Sequence, residues 1–217
     1  MTTKAMIIAI DGAAGSGKST LARGLARTLG LPYVNTGLMY RALTCAALEG
    51  GVDADDERGL EEVARDLRFT LAGVRPRELS IEGLSPGADL QSTLVEAAVS
   101  QVSRHPRVRS LMRELQRQLG EGGVVMEGRD IASVVFPDAD VKLYLVADAD
   151  VRERRRSEER SGDPSVPKLG SRDRKDASVN PFVPQPGAVV IETTDVDVEE
   201  TLRAAIDVVA RARERRS

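Results

Sequence analysis

The chain has 217 residues, of which 41% are hydrophobic and 30% charged, as in an ordinary soluble globular protein. Its 31 Lys and Arg residues face 34 Asp and Glu, and the net charge of −3 argues against a general nucleic-acid-binding protein. With no Trp, three Tyr and three Phe, a stacking platform for single-stranded nucleic acid is also disfavoured. The N-terminus leads almost directly into an apolar run, no stretch approaches membrane-spanning length, and a single cysteine excludes an internal disulfide. We therefore expect a cytoplasmic protein.

The first apolar run, at residues 5–10, predicts a buried parallel strand. A glycine-rich loop ending in Lys-Ser comes next, and Leu21, Leu25 and Leu29 then follow at helical spacing. This strand–loop–helix order is the context in which a Walker A motif binds nucleotide phosphates. The residues that we expect to contact the nucleotide are Gly12, Ala13, Ala14, Gly15, Ser16, Gly17, Lys18, Ser19 and Thr20.

The residue types in this loop suit a phosphate ligand. Glycines let the backbone turn tightly and approach a ligand closely, and the loop N–H groups converge on an anion at the start of the helix. Lys18 supplies a mobile positive charge for the outer phosphates, and the Ser19 hydroxyl can join the ligand shell of Mg²⁺. The loop therefore predicts binding of nucleotide phosphates with Mg²⁺. The alternative, a chance glycine-rich loop, is disfavoured because the spacing and both flanking elements agree.

Strands and helices alternate along the rest of the chain. Predicted strands cover about residues 31–34, 68–71, 78–81, 124–126, 141–146 and 188–191, and predicted helices cover about 38–48, 56–67, 93–102, 106–119, 150 onward and 198–212. This order predicts an α/β protein, a doubly wound parallel sheet whose ligands bind at the carboxyl ends of the strands. We expect one domain over residues 1–217, in which residues 52–94 form a small α+β insertion rather than a core βα unit.

Two further groups follow predicted strands. Arg41 comes after the second strand, so we expect it at the sheet edge beside the phosphate loop, where it can hold a second phosphate in bidentate fashion. A solvated helix arginine is the alternative. Gly128-Arg129-Asp130 follows the strand at 124–126. The glycine allows a tight turn, the arginine guanidinium offers planar hydrogen-bond donors, and the aspartate is an acceptor, so the three suit a ligand site. The alternative is that the arginine and aspartate pair with each other or cap the next helix.

A basic cluster occupies the last third of the chain. Its members are Arg152, Arg154, Arg155, Arg156, Arg160, Lys168, Arg172, Arg174 and Lys175. A solvated helix with many ion pairs is one interpretation. The Gly- and Pro-containing stretch at 162–170 favours the other, a lid that lowers arginines onto phosphates during transfer.

The absence of two motifs disfavours further classes of nucleotide-binding protein. The chain has no Asn-Lys-x-Asp for guanine recognition and no protein-kinase catalytic loop. His105 is the only histidine, which excludes a histidine metal cluster.

Taken in order, these motifs resemble those of the bacterial cytidylate kinases, nucleoside monophosphate kinases that phosphorylate CMP and dCMP. The similarity covers nearly the whole chain. Its most specific parts are Thr36-Gly37-Leu38-Met39-Tyr40-Arg41 and the run from Glu127-Gly128-Arg129-Asp130-Ile131 to Val134-Val135-Phe136-Pro137-Asp138. Residues 10–20, 98–102, 106–109, Arg172-Asp173 and Asp176 also match.

The resemblance implies a P-loop kinase core, a CMP-binding insertion at 52–94 and a short lid at 152–176. It implies that Lys18, Arg129 and Arg172 are catalytic. Thr36 and Tyr40 would shape the acceptor pocket, and Arg41 and Arg129 would hold the acceptor phosphate. The residues that would read cytosine are Ser100, Arg109 and Asp130, and those that would reach phosphate and sugar are Arg172 and Asp176.

The resemblance also implies which ligands the protein binds, and two alternative functions can be weighed against it. The partners would be CMP, dCMP and ATP, bound by a monomer with neither a nucleic-acid nor a membrane partner. Where the family commonly carries an arginine this chain has Val179, for which Arg174 or Lys175 would compensate. An adenylate- or shikimate-type kinase is disfavoured by the insertion and the Gly-Arg-Asp run. A non-catalytic nucleotide-sensing switch would lack the acceptor pocket that Arg41, Arg129 and Asp130 supply.

Overall fold

A computed structural model describes residues 6–159 and 183–216. The strands are β1 (Ile7–Gly12), β2 (Tyr33–Asn35), β3 (Arg68–Ala72), β4 (Glu78–Glu82), β5 (Val124–Gly128), β6 (Val141–Val146) and β7 (Val189–Glu192). The helices are α1 (Lys18–Leu29), α2 (Thr36–Glu49), α3 (Glu57–Asp66), α4 (Thr93–Val102), α5 (Pro106–Gly120), α6 (Ala149–Glu159) and α7 (Val198–Glu214). Most boundaries fall within two residues of the predicted ones.

The strands form one sheet in the order β3-β4-β2-β5-β1-β6-β7. Every neighbouring pair is parallel except β3 with β4. β1 lies between β5 and β6, and Ile8, Ala9 and Ile10 are fully buried. A strand covered on both faces reads as a continuous apolar run, which is the pattern of residues 5–10. The predicted doubly wound parallel sheet is confirmed.

Helices cover both faces of this sheet. Ala9 packs with Met39 of α2 and Leu60 of α3, whereas its neighbours Ile8 and Ile10 pack with α1 and α7. Successive side chains of a strand point to opposite faces, so the two clusters are two separate hydrophobic layers. The segments that follow the carboxyl ends of β1, β2 and β5 line the site described below.

Residues 52–94 add a hairpin to one edge of the sheet. β3 and β4 pair antiparallel, and β4 pairs in parallel with β2 where Tyr33 lies opposite Glu78. Helix α3 buries Leu60 completely in the cluster that α2 also occupies. This block therefore continues the central sheet and shares one of its two hydrophobic layers.

One element has no counterpart in the predicted pattern. Residues Ile131–Val135 form a short π-helical segment, in which the N–H of Phe136 donates to the carbonyl of Ile131 at 2.7 Å. Such segments are rare and are frequent at functional sites. This one directly follows Asp130, a predicted site residue.

No helix in the described ranges is both long and apolar enough to span a membrane.

Candidate active site

The loop between β1 and α1 has the geometry of a phosphate-binding loop. Gly15 and Gly17 adopt positive φ angles of 74° and 87°, which favour glycine because it has no Cβ. Gly17 is also the N-cap of α1, so the loop delivers backbone N–H groups at a helix N-terminus, where an anion is favoured. The Lys18 ammonium folds back and donates to the carbonyl of Ala13 at 2.7 Å.

Helix α6 packs directly on this loop. A Cβ placed on Gly15 would lie 2.6 Å from the carbonyl oxygen of Arg152, so the close approach itself requires glycine. Arg152 donates from Nη1 to the carbonyl of Ala14 at 3.2 Å and from Nε to that of Ala147 at 3.1 Å. The start of the predicted lid is thereby anchored to the phosphate loop.

A cavity of about 310 Å³ opens beside the loop. It brings together eleven of the predicted site residues: Ala14, Gly15, Lys18, Ser19, Thr36, Tyr40, Arg41, Ser100, Arg109, Arg129 and Asp130. Arg172, Asp176 and most of the predicted lid lie outside the described residues. The described parts of three predicted groups, the loop, the Arg41 helix and the Gly-Arg-Asp turn, therefore line one cavity.

Arg41 lies on the wall of this cavity, and its side chain is only 11% exposed. Its Nη1 donates to the carbonyl of Leu90 at 2.9 Å, and its Nη2 pairs with the carboxylate of Glu96. The alternative prediction for Arg41, a solvated arginine on a helix surface, is therefore wrong. Leu90, just before α4, and Glu96 within it hold the guanidinium in place.

Asp130 forms an ion pair, but not with its neighbour Arg129. Its Oδ2 accepts from Nη2 of Arg109 at 2.5 Å, and Nη2 of Arg113 lies 3.7 Å away. The Asp130 side chain is only 15% exposed, so the pair sits in a water-poor part of the cavity. A carboxylate and a guanidinium held side by side can offer both acceptors and donors to the edge of a base.

Thr36 and Tyr40, one turn apart on α2, line the same wall. The Thr36 hydroxyl donates to the carbonyl of Glu127 at 2.8 Å, which ties α2 to the end of β5. Burial raises the pKa of the Tyr40 hydroxyl to about 12, so it remains a neutral hydrogen-bonding group.

Asp11 was part of the matched motif, but no role was predicted for it. It is the penultimate residue of β1, and its carboxylate accepts from the N–H groups of Ile131 at 2.9 Å and Ala132 at 2.8 Å. Burial raises the pKa of this carboxyl from 3.8 to about 6, although the two backbone hydrogen bonds oppose that shift. Asp11 thus joins the strand before the phosphate loop to the π-helical segment that follows Asp130.

A second cavity of about 260 Å³ lies on the other side of the phosphate loop. Its wall includes Gly17, Thr20, Arg155 and Thr193. Arg155 donates to the carbonyl of Thr193 at 2.6 Å, which joins α6 to the end of β7. Sequence reasoning missed this cavity because its walls come from chain segments more than 170 residues apart.

One buried charged residue of the acceptor side, Glu96, was also missed. Glu96 is fully buried at its side chain and pairs with both Arg41 and Arg156. The signal was available in the sequence, because Glu96 is the only charged residue of α4 and stands among Leu94, Val95 and two alanines. A charge on such a face is rarely buried without a partner.

A parallel sheet, a phosphate loop after its central strand and an arginine-lined cavity beside that loop define a P-loop kinase that acts on a small molecule. The same fold is seen in a gluconokinase from Sinorhizobium meliloti 1021, with a TM-score of 0.50 at 15% identity over 98% of this chain and 95% of that one. The sequence relationship is more specific.

The chain belongs to the cytidylate kinase family, whose sequence model matches residues 8–211. A cytidylate kinase of Limosilactobacillus fermentum is 41% identical over 210 residues, which cover 92% of this chain and 93% of the relative. One of Geobacillus kaustophilus is 41% identical over 213 residues, or 93% and 95% of the two chains. The expected family, enzyme class and fold are all confirmed.

Proposed function

We propose that the protein transfers the terminal phosphoryl group of ATP to CMP or dCMP, which yields ADP and CDP or dCDP. The observation that carries the proposal is the single cavity shared by the phosphate loop, two arginines and the Arg109–Asp130 pair. This arrangement offers a phosphate donor site and a charged acceptor site side by side. Family membership supplies the substrate class.

On the acceptor side, the phosphate of CMP would lie between Arg41 and Arg129, whose guanidinium forks suit phosphate oxygens. The base would lie against Ser100, Arg109 and Asp130. Because Asp130 Oδ2 is engaged by Arg109, we assign Oδ1 to the exocyclic amine of cytosine. Uracil presents a carbonyl oxygen at that position, which a carboxylate would repel.

On the donor side, the loop N–H groups and Lys18 would hold the phosphates of ATP. The second cavity, lined by Arg155 and Thr193, is the place that we assign to its nucleoside. The site residues suit Mg²⁺, because the Ser19 hydroxyl and the Glu127 carboxylate line the same cavity and are hard oxygen donors. Ser19 is the proposed ligand, with phosphates and water completing the shell, as Mg²⁺ prefers.

The chemistry would need positioning and charge neutralisation rather than a general base. The acceptor phosphate is already an anion at neutral pH, so no proton must be removed before attack. Lys18 and Arg129 would neutralise the charge that develops on the transferring group, and an arginine in that role can be worth about 10³–10⁵ in rate. Arg172 and Asp176, with the remainder of the lid, stay predictions, as do the monomeric state and the cytoplasmic location.

The test is a coupled assay of ADP release with CMP, dCMP, UMP, AMP and shikimate as acceptors, and with no acceptor as the control. We expect rapid, acceptor-dependent release with CMP or dCMP and much slower release with UMP. Release that is fastest with AMP or shikimate would favour another small-molecule kinase. ATP binding without acceptor-dependent release would favour a nucleotide-sensing switch.

A further inference from the structure

A buried carboxylate joins two arginines behind the acceptor cavity. Glu96 lies in the first turn of α4, and its side chain has no exposed surface. Its Oε2 pairs with Nη2 of Arg41 on α2, and its Oε1 pairs with Nη2 of Arg156 on α6. One carboxylate therefore contacts two helices that approach the site from different parts of the chain.

Glu96 does not itself reach the cavity. Arg41 and Arg156 both line it, whereas Glu96 is absent from the wall that the described residues form. A ligand in the cavity would meet the two guanidinium groups and not the carboxylate behind them. Glu96 can thus act on a ligand only through these arginines.

The charges explain why a carboxylate is needed at this place. Two guanidinium groups near one another repel, and each side chain has many rotamers. A carboxylate between them offsets one of the two charges and holds one edge of each fork. A guanidinium has five donors, so each arginine can be held from behind while it still lines the cavity.

We propose that Glu96 is a positioning residue for the phosphate of the acceptor nucleotide. It orients Arg41 and Arg156 toward that phosphate, and it makes Arg156 a further phosphate-contacting residue from α6. The inference rests on the proposed function, since it takes the acceptor phosphate to bind at Arg41.

The test compares binding of CMP and of cytidine, which lacks the phosphate, by calorimetry in wild type and in Glu96→Gln. Glutamine has the same shape but only one acceptor oxygen, so it can serve one guanidinium and must turn an amide N–H₂ toward the other. We expect the ratio of CMP to cytidine affinity to fall about tenfold, with cytidine affinity and the KM for ATP changed by less than about twofold. A merely structural role would weaken both ligands alike.

Glu96→Asp is the second variant. It keeps the charge but is one methylene shorter, so it cannot reach both arginines, and the same loss of the ratio is expected. If the glutamine variant does not fold, this variant decides alone. The matched control is Glu61→Gln on α3, which removes surface ion pairs with Arg65 of the same helix and Arg107 of α5 and should leave the ratio unchanged.

The outcomes separate the two proposals. A wild-type protein that binds CMP no more tightly than cytidine would contradict the acceptor site itself. A wild type that prefers CMP, with an unchanged preference in both Glu96 variants, would overturn the role of Glu96 alone.

Discussion

The two sides of the cavity are built by different means. On the phosphate-loop side, most of the groups that would bind phosphate are backbone N–H groups, and the contacting residues are close in sequence. Lys18, for example, donates to the carbonyl of Ala13, five residues away. On the acceptor side, charged side chains are held by partners far along the chain. Arg41 meets Leu90 and Glu96, and Arg109 meets Asp130.

This difference has a physical origin. The donor's triphosphate is bound by N–H groups and a helix N-terminus, which a short glycine-rich segment supplies by itself. The acceptor site must distinguish one base from another, and that requires side chains with directed donors and acceptors. Without partners, such charged side chains would repel one another or adopt other rotamers, so the fold holds them in ion pairs before a ligand binds. The comparison predicts that substitutions on one side of the cavity impair the function of that side and leave the other side nearly unchanged.

Lys18→Ala should have the largest effect, and it should be confined to turnover. Loss of the charge at the transferring group is expected to lower kcat by about 10³-fold or more, since charge stabilisation dominates this chemistry. The measurements are kcat by ADP release and the thermal midpoint. Lys142→Ala, on β6 and away from the cavity, is the control and should keep near-normal turnover. Normal turnover of the Lys18 variant at saturating ATP would contradict the role of the loop lysine.

The same contrast explains what the sequence could predict. The loop, its flanking strand and helix, and the sheet class follow from local signals, and the structure has the predicted strand, loop and helix at that place in the chain. Arg41 was expected at the sheet edge beside the phosphate loop, and it lines the cavity there. The apolar neighbours of Glu96 indicate that this charge needs a partner, but no local pattern identifies a partner about 50 residues away, and Leu90 and Glu96 were not found as the partners of Arg41. The π-helical segment at Ile131–Val135 depends on Asp11, 120 residues earlier, and no local pattern predicts it.

Asp11 connects the two sides, and its titration tests that connection. Its pKa in the folded protein is about 6, against 3.8 ordinarily, so the folded state binds the proton at a higher pH than the unfolded chain. The contribution of Asp11 to the free energy of unfolding is therefore greatest in acid and falls by about 3 kcal/mol as pH rises from about 3 to about 7.

Asn cannot titrate, so Asp11→Asn isolates this effect. Urea unfolding of both proteins across that pH range gives the free-energy difference, wild type minus variant, which should decrease by about 3 kcal/mol as pH rises. Other carboxyl groups, such as the one of Glu192 whose pKa hydrogen bonds lower, cancel in the difference. A difference that stays flat or rises with pH would contradict the raised pKa of Asp11.

Asp130→Asn should change selectivity rather than donor binding. The variant loses a charge-assisted hydrogen bond to the cytosine amine, which should cost about 1.5–3 kcal/mol in transition-state binding of CMP. An amide can also donate, so UMP should be tolerated better. The measurement is the ratio of kcat/KM for CMP and UMP, with Asp138→Asn on the exposed surface as the control. An unchanged ratio would leave base recognition to Ser100 and Arg109.

Gly128→Ala should give the smallest effect, and it tests how tightly the acceptor side is assembled. A Cβ at Gly128 would lie 2.5 Å from the Thr36 hydroxyl and 2.7 Å from Cδ1 of Ile131. Both neighbours are side-chain atoms, and the Ile131 methyl can move, so we expect a loss of about 1–2 kcal/mol in unfolding free energy, within the range for overpacking. Because Thr36 ties α2 to β5, the KM for CMP should rise while the KM for ATP stays near wild type. Gly122→Ala is the matched control, since its Cβ would meet no atom within 4 Å. Equal changes in both KM values would mean that the two sides of the cavity are not assembled independently.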